Sequence, residues 1–375
     1  TIAVVLPISG FEKEKGQAYL LGLSEYFSLV DNSAALRFLV YDTKGSPSQV
    51  LQIVEKLQAN ANIICSLGPI TRDEILCLSG FDSNFPILIP KSNLSISPQI
   101  SNSLFFLSPT SGTIAQRTAQ FMIKELKLDK IAVISPADKQ SKKITDNFLN
   151  TCYQLGVDPL AIEWYVEKPE DISRQLKSLR KAAWNLIPDD ESKKIDRFLK
   201  IDSLDALFDV DVTDFFKLPP DEEDKLNSKD SAKIILETIQ GIYIPLRADE
   251  LTYIGTQLPL YNLKSILVGN EQWLNLPLLN EPLIGPHVDG MYFLTDVSSA
   301  LSNNYQDAFT NYYVLGREHA IYLDTFSKNG VKDHNSFLEK LLVKNTFHGN
   351  FISIMLGGKN NENSLSQIMK YNNSK

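Results

Sequence analysis

Short unbroken apolar runs alternate along this chain with stretches whose apolar residues recur every three to four positions. The first run, residues 2–6 (IAVVL), is continuous and β-branched and reads as a buried strand. Pro7, Ser9 and Gly10 break it, and from about Gly16 apolar residues resume at helical spacing: Ala18, Leu21, Leu23, Phe27, Leu29, Val30. The unit then repeats. A strand at 36–41 ends at Asp42, and Ser46-Pro47 starts a helix that runs to about Gln58. A strand at 63–67 meets Gly68-Pro69 and a helix from about Thr71 to Ser79, and strands follow at 86–89 and 104–107. A long helix, Thr113 to about Leu126, opens a second series: strand 131–135, helix 142–154, strand 160–166, helix 172–184. After an interruption the pattern resumes with strand 242–246, helix 249–257 and strands 265–268 and 290–294. Helices at about 305–313, 316–326 and 336–342, a late strand at 351–356 and a fraying Asn- and Ser-rich tail complete it. Alternation at this pitch predicts βαβ units and parallel sheets. The strands are too many for one sheet, so the fold class is α/β, with two doubly wound parallel-sheet lobes.

Composition narrows the classes. A chain of 375 residues exceeds one core and predicts two domains. At 43% hydrophobic and 22% charged it has globular composition, and no run approaches the roughly 18 apolar residues of a bilayer span. A net charge of -8 and a pI of about 5.2 exclude a nucleic-acid binder, which needs a basic stripe against phosphates. Residues 189–230 hold 14 acidic and 7 basic side chains, a local net of -7, and residues 187–229 read as an acidic insertion that docks loosely. Cys65, Cys77 and Cys152 lie in apolar contexts without CxxC spacing and read as buried thiols, with a Cys65–Cys77 disulfide as the alternative. The chain begins in a strand without Met, as an excised mature domain does, so the lack of a signal peptide says little about compartment.

Catalytic and metal chemistry find no support. His287, His319, His334 and His348 are scattered without ligand spacing, and there is no GxSxG elbow, Walker A sequence or GxGxxG. Asp209, Asp211 and Asp214 alternate in a faintly calcium-like run that lacks the Gly and terminal Glu of an EF-hand. No enzyme activity, cofactor or metal is expected. In open α/β sheets ligands bind at the carboxyl ends of the strands, so function is sought in the loops that follow them.

Those loops carry a family resemblance. LPISG at Leu6–Gly10 with Gly16 and Gly22, Asp42 followed by SPSQVLQIVEKL, Leu67-Gly68-Pro69-Ile70-Thr71, Phe85-Pro86-Ile87 and residues 105–109 occur in the order and spacing of the type I periplasmic binding proteins. The chain resembles their leucine/isoleucine/valine- and amide-binding branch over nearly its whole length, apart from the insertion. LFFLSPTSGTIAQRTAQFMIKELKLDKIAVISP and IYIPLRADELTYIGTQLPLYNLKSILVGNEQW are similar, more closely, to the C-terminal domain of penicillin-binding-protein activators. The resemblance implies two lobes joined by three crossovers, one of residues 1–110 plus 297–345 and the other of 111–296 plus 346–375, closing on a ligand by hinge motion.

It also implies a site. In the amino-acid receptors the turn after strand three holds the ligand carboxylate; here Thr71 supplies the hydroxyl and the next helix supplies N–H donors. Arg72 departs from the family's small hydroxyl residue. It either blocks the pocket, pairs with a larger anion, or is a surface residue beside Asp73 and Glu74. Lys91, Ser92 and Asn93 follow strand four, and Lys91 with Arg72 would suit an anionic ligand. Asn270 and Glu271 follow the strand SILV, with Glu271 at the position that binds an α-amino group; Arg247 follows IYIPL. Ser9 and Phe11 would form the rim, with Phe11 as a loop anchor the alternative, and Trp273 either walls the cleft or is structural. Two functions follow. One is an extracytoplasmic solute-binding protein that traps a small polar ligand, an amino acid or related carboxylate, for an ABC transporter or sensor. The other is an envelope interaction protein that regulates a peptidoglycan synthase with an empty cleft. Both place it in the periplasm or cell envelope, with a lipid anchor in the full-length protein as one form, and neither spans a membrane or binds nucleic acid.

Overall fold

The computed structural model describes residues 1–29, 36–81, 84–92, 94, 102–166, 169–188, 234–247, 250–297, 308–328, 330–331, 333–343, 345–356 and 361–373. The first sheet is built from β1 (Ile2–Leu6), β2 (Phe38–Asp42), β3 (Cys65–Leu67), β4 (Ile87–Ile89) and β5 (Leu104–Phe106). Its strands are all parallel, in the order β2-β1-β3-β4-β5. β1 is interior, paired with β2 on one side and β3 on the other, and its period of two divides the apolar run between two cores. Ile2, Val4 and Leu6 pack with Tyr19 and Leu23, while Ala3 and Val5 pack with Val50, Val54 and Ile75. That is why IAVVL is apolar throughout: both faces are covered. The helices responsible are α1 (Lys13–Leu29) on one face, and α2 (Pro47–Gln58) and α3 (Arg72–Leu78) on the other.

After α4 (Ser111–Gln120), which widens into a π-helical turn over Phe121–Glu125, the second sheet begins. It contains β6 (Ile131–Pro136), β7 (Ala161–Tyr165), β8 (Gly241–Ile244), β9 (Ile266–Gly269) and β10 (Tyr292–Thr295). Helices α5 (Lys139–Gln154), α6 (Ser173–Trp184) and α7 (Leu251–Gln257) connect or flank these strands. The chain then adds α8 (Ala308–Lys328), α9 (His334–Leu342), a hairpin of β11 (Thr346–His348) and β12 (Ser353–Met355), and β13 (Gln367–Lys370). The second sheet runs β13-β10-β9-β8-β6-β7, parallel except for β13. Leaving β13 aside, the two sheets share one order: the first strand of each has the second on one side and the third on the other. Each therefore has a topological switch point, where ligands are received at the carboxyl ends.

Four sequence readings change. The helices expected at 305–313 and 316–326 are one helix through Gly316, which is needed for contact. A Cβ on Gly316 would fall 2.1 Å from the Tyr19 carbonyl oxygen, and one on Gly22 2.0 Å from that of Tyr313. So α1 and α8 cross backbone to backbone at paired glycines. Second, α5 starts at Lys139 rather than 142, because Asp138 caps it by accepting from the N–H groups of Gln140 and Ser141. Third, the tail forms β13 on the free edge of β10, burying Met369 and Tyr371. Fourth, residues 346–356 were assigned to the second lobe, yet Ile352, Ile354 and Leu356 are buried in the first-sheet core with Val4 and Leu323. The last crossover lies beyond them, where Phe106 N–H donates to Asn361 O (2.9 Å), Asn363 N–H to Phe106 O (2.8 Å) and Thr110 N–H to Glu362 Oε1 (2.6 Å).

Cys65, Cys77 and Cys152 are free thiols, so the alternative Cys65–Cys77 disulfide is not formed. Burial raises the pKa of each; Glu74 reinforces this at Cys77, which reaches about 11. The acidic stretch 189–230, the run from Asp209 to Asp214 and Asn93 lie outside the described residues. Among the described residues no helix is long and apolar enough to cross a membrane, and no group of three or more His, Cys, Asp or Glu is arranged to hold a metal.

Candidate functional site

A cleft of about 320 Å3 opens where the carboxyl ends of the two sheets meet. From the first sheet come Lys91 and Ser92, after β4. The crossover after β5 adds Pro109, Ser111 and Ile114. The second sheet supplies Asp138, Gln140 and Ser141 after β6, Leu246 and Arg247 after β8, Asn270, Glu271 and Gln272 after β9, and Asp296 after β10. Its floor includes Ile144, Tyr243 and Leu294. The loops after β6 and β8 flank the second sheet's switch point. The matching loops of the first sheet do not reach the cleft.

Lys91 occupies the junction. Its Nζ lies 3.1 Å from Asp296 Oδ2 and 3.5 Å from Glu271 Oε2, and donates to Asp296 Oδ1 at 3.2 Å. The side chain is 13% exposed and that of Asp296 3%, so little solvent screens the pair. Burial alone would lower the lysine pKa, but Asp296 and then Glu271 outweigh it and hold the ammonium above its ordinary value. Tyr312, also buried here, is pushed up to about 12, chiefly by burial.

Arg247 is equally engaged. Its Nε and Nη2 donate to Glu250 Oε1 at 2.7 and 2.5 Å, and its backbone N–H donates to Oε2 at 2.9 Å. The Tyr165 hydroxyl donates to the same Oε2 at 2.7 Å, completing a buried carboxylate. Arg247 Nη1 lies 3.7 Å from Asp138 Oδ2, and the guanidinium sits 5.9 Å from the Tyr165 ring centre. For Asp138, burial would raise the pKa, but the Ser141 hydroxyl, the N–H groups of Ser141 and Gln140, and Arg247 bring it below the usual carboxylate range.

Of the residues singled out in the sequence, Lys91, Ser92, Arg247, Asn270 and Glu271 line one cleft. Asn270 is pinned to the neighbouring loop after β8, accepting from Leu246 N–H (3.0 Å) and donating to Leu246 O (2.8 Å). Ser9, Thr71 and Arg72 are not in the lining. Ser9 is tied to Asp42, donating its hydroxyl to Oδ2 at 2.5 Å. Asp42 also accepts the Ile8, Ser9 and Lys44 N–H groups, which overcome its burial and bring its pKa down to about 2. Thr71 caps α3, donating its hydroxyl to Oε2 of the fully buried Glu74 at 2.6 Å. The Thr71 hydroxyl thus serves a carboxylate of the protein itself. Arg72 is exposed on α3, and Phe11, at 83% exposed, lies outside the lining and does not anchor its loop. Trp273 is structural: fully buried, it donates to Ile244 O at 2.8 Å.

The sequence reading missed Asp138, Gln140, Ser141, Gln272, Ser111 and Asp296. The signal for Asp138 was present: an Asp just after a strand and before an apolar-periodic helix is an N-cap. Nothing local marked Asp296, whose partner is 205 residues away.

With the geometry set, the class is plain: two α/β lobes with an interlobe cleft, the type I periplasmic-binding-protein fold. The periplasmic binding protein family model matches residues 1–187, and the chain belongs to that family. Solved structures share the fold over the chain's length. A putative branched-chain amino acid ABC transporter protein from Rhodospirillum rubrum is 12% identical with a TM-score of 0.72, over 99% of this chain and 97% of that one. An ABC transporter substrate-binding protein from Desulfitobacterium hafniense in complex with Leu is 14% identical, TM-score 0.56, over 100% and 98%. Haemophilus influenzae LpoA is 14% identical, TM-score 0.60, over 99% of this chain but 56% of LpoA. The comparison with curated proteins gives no match.

Proposed function

We propose that this chain is a non-catalytic extracytoplasmic receptor domain that captures a small polar molecule between its lobes, for an ABC transporter or a sensor. The observation that carries the proposal is the cleft itself. Its volume of about 320 Å3 suits a small solute, and it combines an apolar floor with polar groups from both sheets. The lobes on either side, residues 1–110 with 297–356 and residues 111–296 with the β13 segment, would move about the three crossovers. A bound ligand would close them by contacting both sides at once. The test is a thermal-shift screen of small polar compounds, repeated on Ser111→Trp, which places an indole at a position lining the cleft to obstruct it. A ligand at a hundredfold excess over its dissociation constant stabilises the native state by about 2.7 kcal/mol. Stabilisation in the wild type that is lost in Ser111→Trp is the expected result.

A second reading has its own observation. Lys91 already bridges the lobes by ion pairs to Glu271 and Asp296, which suits a domain held as a fixed platform for a partner. The likeness to LpoA, a penicillin-binding-protein activator, agrees with it. A screen with no response, together with binding of the purified domain to a peptidoglycan synthase, would favour this reading.

A further inference from the structure

The ligand class of the cleft follows from how its charges are paired, given the receptor reading above. Every carboxylate in the lining has a protein cation within 4 Å: Asp138 has Arg247 at 3.7 Å, Glu271 has Lys91 at 3.5 Å, and Asp296 has Lys91 at 3.1 Å. Neither cation of the lining is free. Lys91 lies between two carboxylates, and Arg247 holds Glu250 through two guanidinium nitrogens.

We propose that the cleft takes an uncharged, hydrogen-bonding ligand, such as a neutral sugar or amide, and that with the lobes together the Lys91 ammonium occupies the corner where an amine would otherwise bind. A ligand ammonium reaching Glu271 must displace Lys91, leaving a nearly buried lysine with Asp296 alone. A ligand carboxylate meets two cations already committed, in a cluster where Asp138, Glu250, Glu271 and Asp296 outnumber Lys91 and Arg247 and the field repels anions. An uncharged ligand has neither cost. The groups left to it are neutral: the Ser92 hydroxyl, which accepts from Leu94 N–H (3.1 Å) and keeps its proton to donate, and the Ser111, Gln140 and Gln272 side chains. The cleft thus discriminates by charge with groups of the protein itself, and Lys91 does so from the opposite lobe to its partners.

The test compares leucine, leucinamide, N-acetyl-leucine, N-acetyl-leucinamide, glucose and N-acetylglucosamine by thermal shift on the wild type, and n-butylammonium on the wild type and on Lys91→Ala. Expected are stabilisation of the wild type by at least one uncharged probe and none by the charged ones. Lys91→Ala, which exposes Glu271 and Asp296, should gain stabilisation by n-butylammonium over an equal concentration of sodium chloride. Stabilisation of the wild type by leucine, leucinamide or N-acetyl-leucine overturns the inference but leaves the receptor reading standing. No response to any of the six probes overturns the inference, while the receptor reading is decided by the wider screen of small polar compounds. If Lys91→Ala does not fold, the wild-type comparison alone still decides. If it folds and ignores n-butylammonium, the corner is not an amine site and the inference fails.

Discussion

Gly316→Ala distinguishes helix propensity from packing by the sign of its effect. In an unobstructed helix interior, replacing Gly by Ala gains about 1 kcal/mol. At Gly316 the new methyl carbon would lie 2.1 Å from the Tyr19 carbonyl oxygen, 3.0 Å from the Tyr19 carbonyl carbon and 3.1 Å from the Leu23 amide nitrogen. These are backbone atoms of α1 that cannot rotate away, so the two helices must separate by about 1 Å to restore contact distance. That separation loosens a core containing Tyr19, Leu23, Leu315 and Leu323, all buried. Overpacking costs about 1–3 kcal/mol, and a clash of backbone on backbone lies at the upper end. Subtracting the propensity gain leaves a net loss of about 2 kcal/mol, which lowers Tm by about 4–8 °C. Urea unfolding followed by circular dichroism measures it, with Gly80→Ala as control. A Cβ at Gly80 meets nothing within 4 Å, so that variant should stay within about 0.5 kcal/mol of wild type. A Gly316→Ala midpoint at or above the wild-type value would refute the crossing geometry.

Two predictions concern pH. His319 is fully buried with its Nδ1 2.8 Å from the Tyr19 hydroxyl, and burial pulls its pKa down to about 3. Between roughly pH 6.5 and 3 the unfolded chain binds a proton that the folded chain does not, so stability falls as pH falls. From pH 7 to 5 this group removes about 2 kcal/mol, a loss His319→Gln should abolish; equal pH dependence in the two proteins would count against it. Asp42, held at about pKa 2 by the loop it ties down, has the depressed folded value of a bonded carboxylate. Its contribution is complete above about pH 4 and disappears as pH falls toward 2, at most about 2 kcal/mol and about 1 after allowance for solvent screening. Asp42→Asn should lose that amount at pH 7 in urea titration and speed proteolysis at the loop around Ser9; unchanged stability would show that the loop is held by other bonds.

Much of the architecture was legible because it is written locally. The strands at Ile2–Leu6 and Ile131–Pro136 are unbroken apolar runs with punctuation after them, and helices over Pro47–Gln58 and Ser173–Trp184 follow from period and Pro placement. The family resemblance, read at the strand ends, pointed to Lys91, Arg247, Asn270 and Glu271, and these four lie in the cleft lining. Legibility failed where one segment's role depends on another. Gly316 looks like a helix break until α1 is placed against it, and Gln367–Lys370 looks like tail until β10 offers an open edge.

The sequence by itself determined the alternating α/β pattern, the two lobes and the loops that carry polar side chains, because backbone period and turn chemistry act over a few residues. Only the tertiary structure decided what those side chains do. Thr71 is turned to Glu74, Ser9 to Asp42, and Lys91 reaches Glu271 and Asp296 from another lobe. Two cations expected to welcome an anion became one exposed residue, Arg72, and one internally neutralised ammonium, Lys91. The reason is physical: the state of a charge is set by burial and by what lies within a few ångströms in space, and neither is a property of the neighbouring letters.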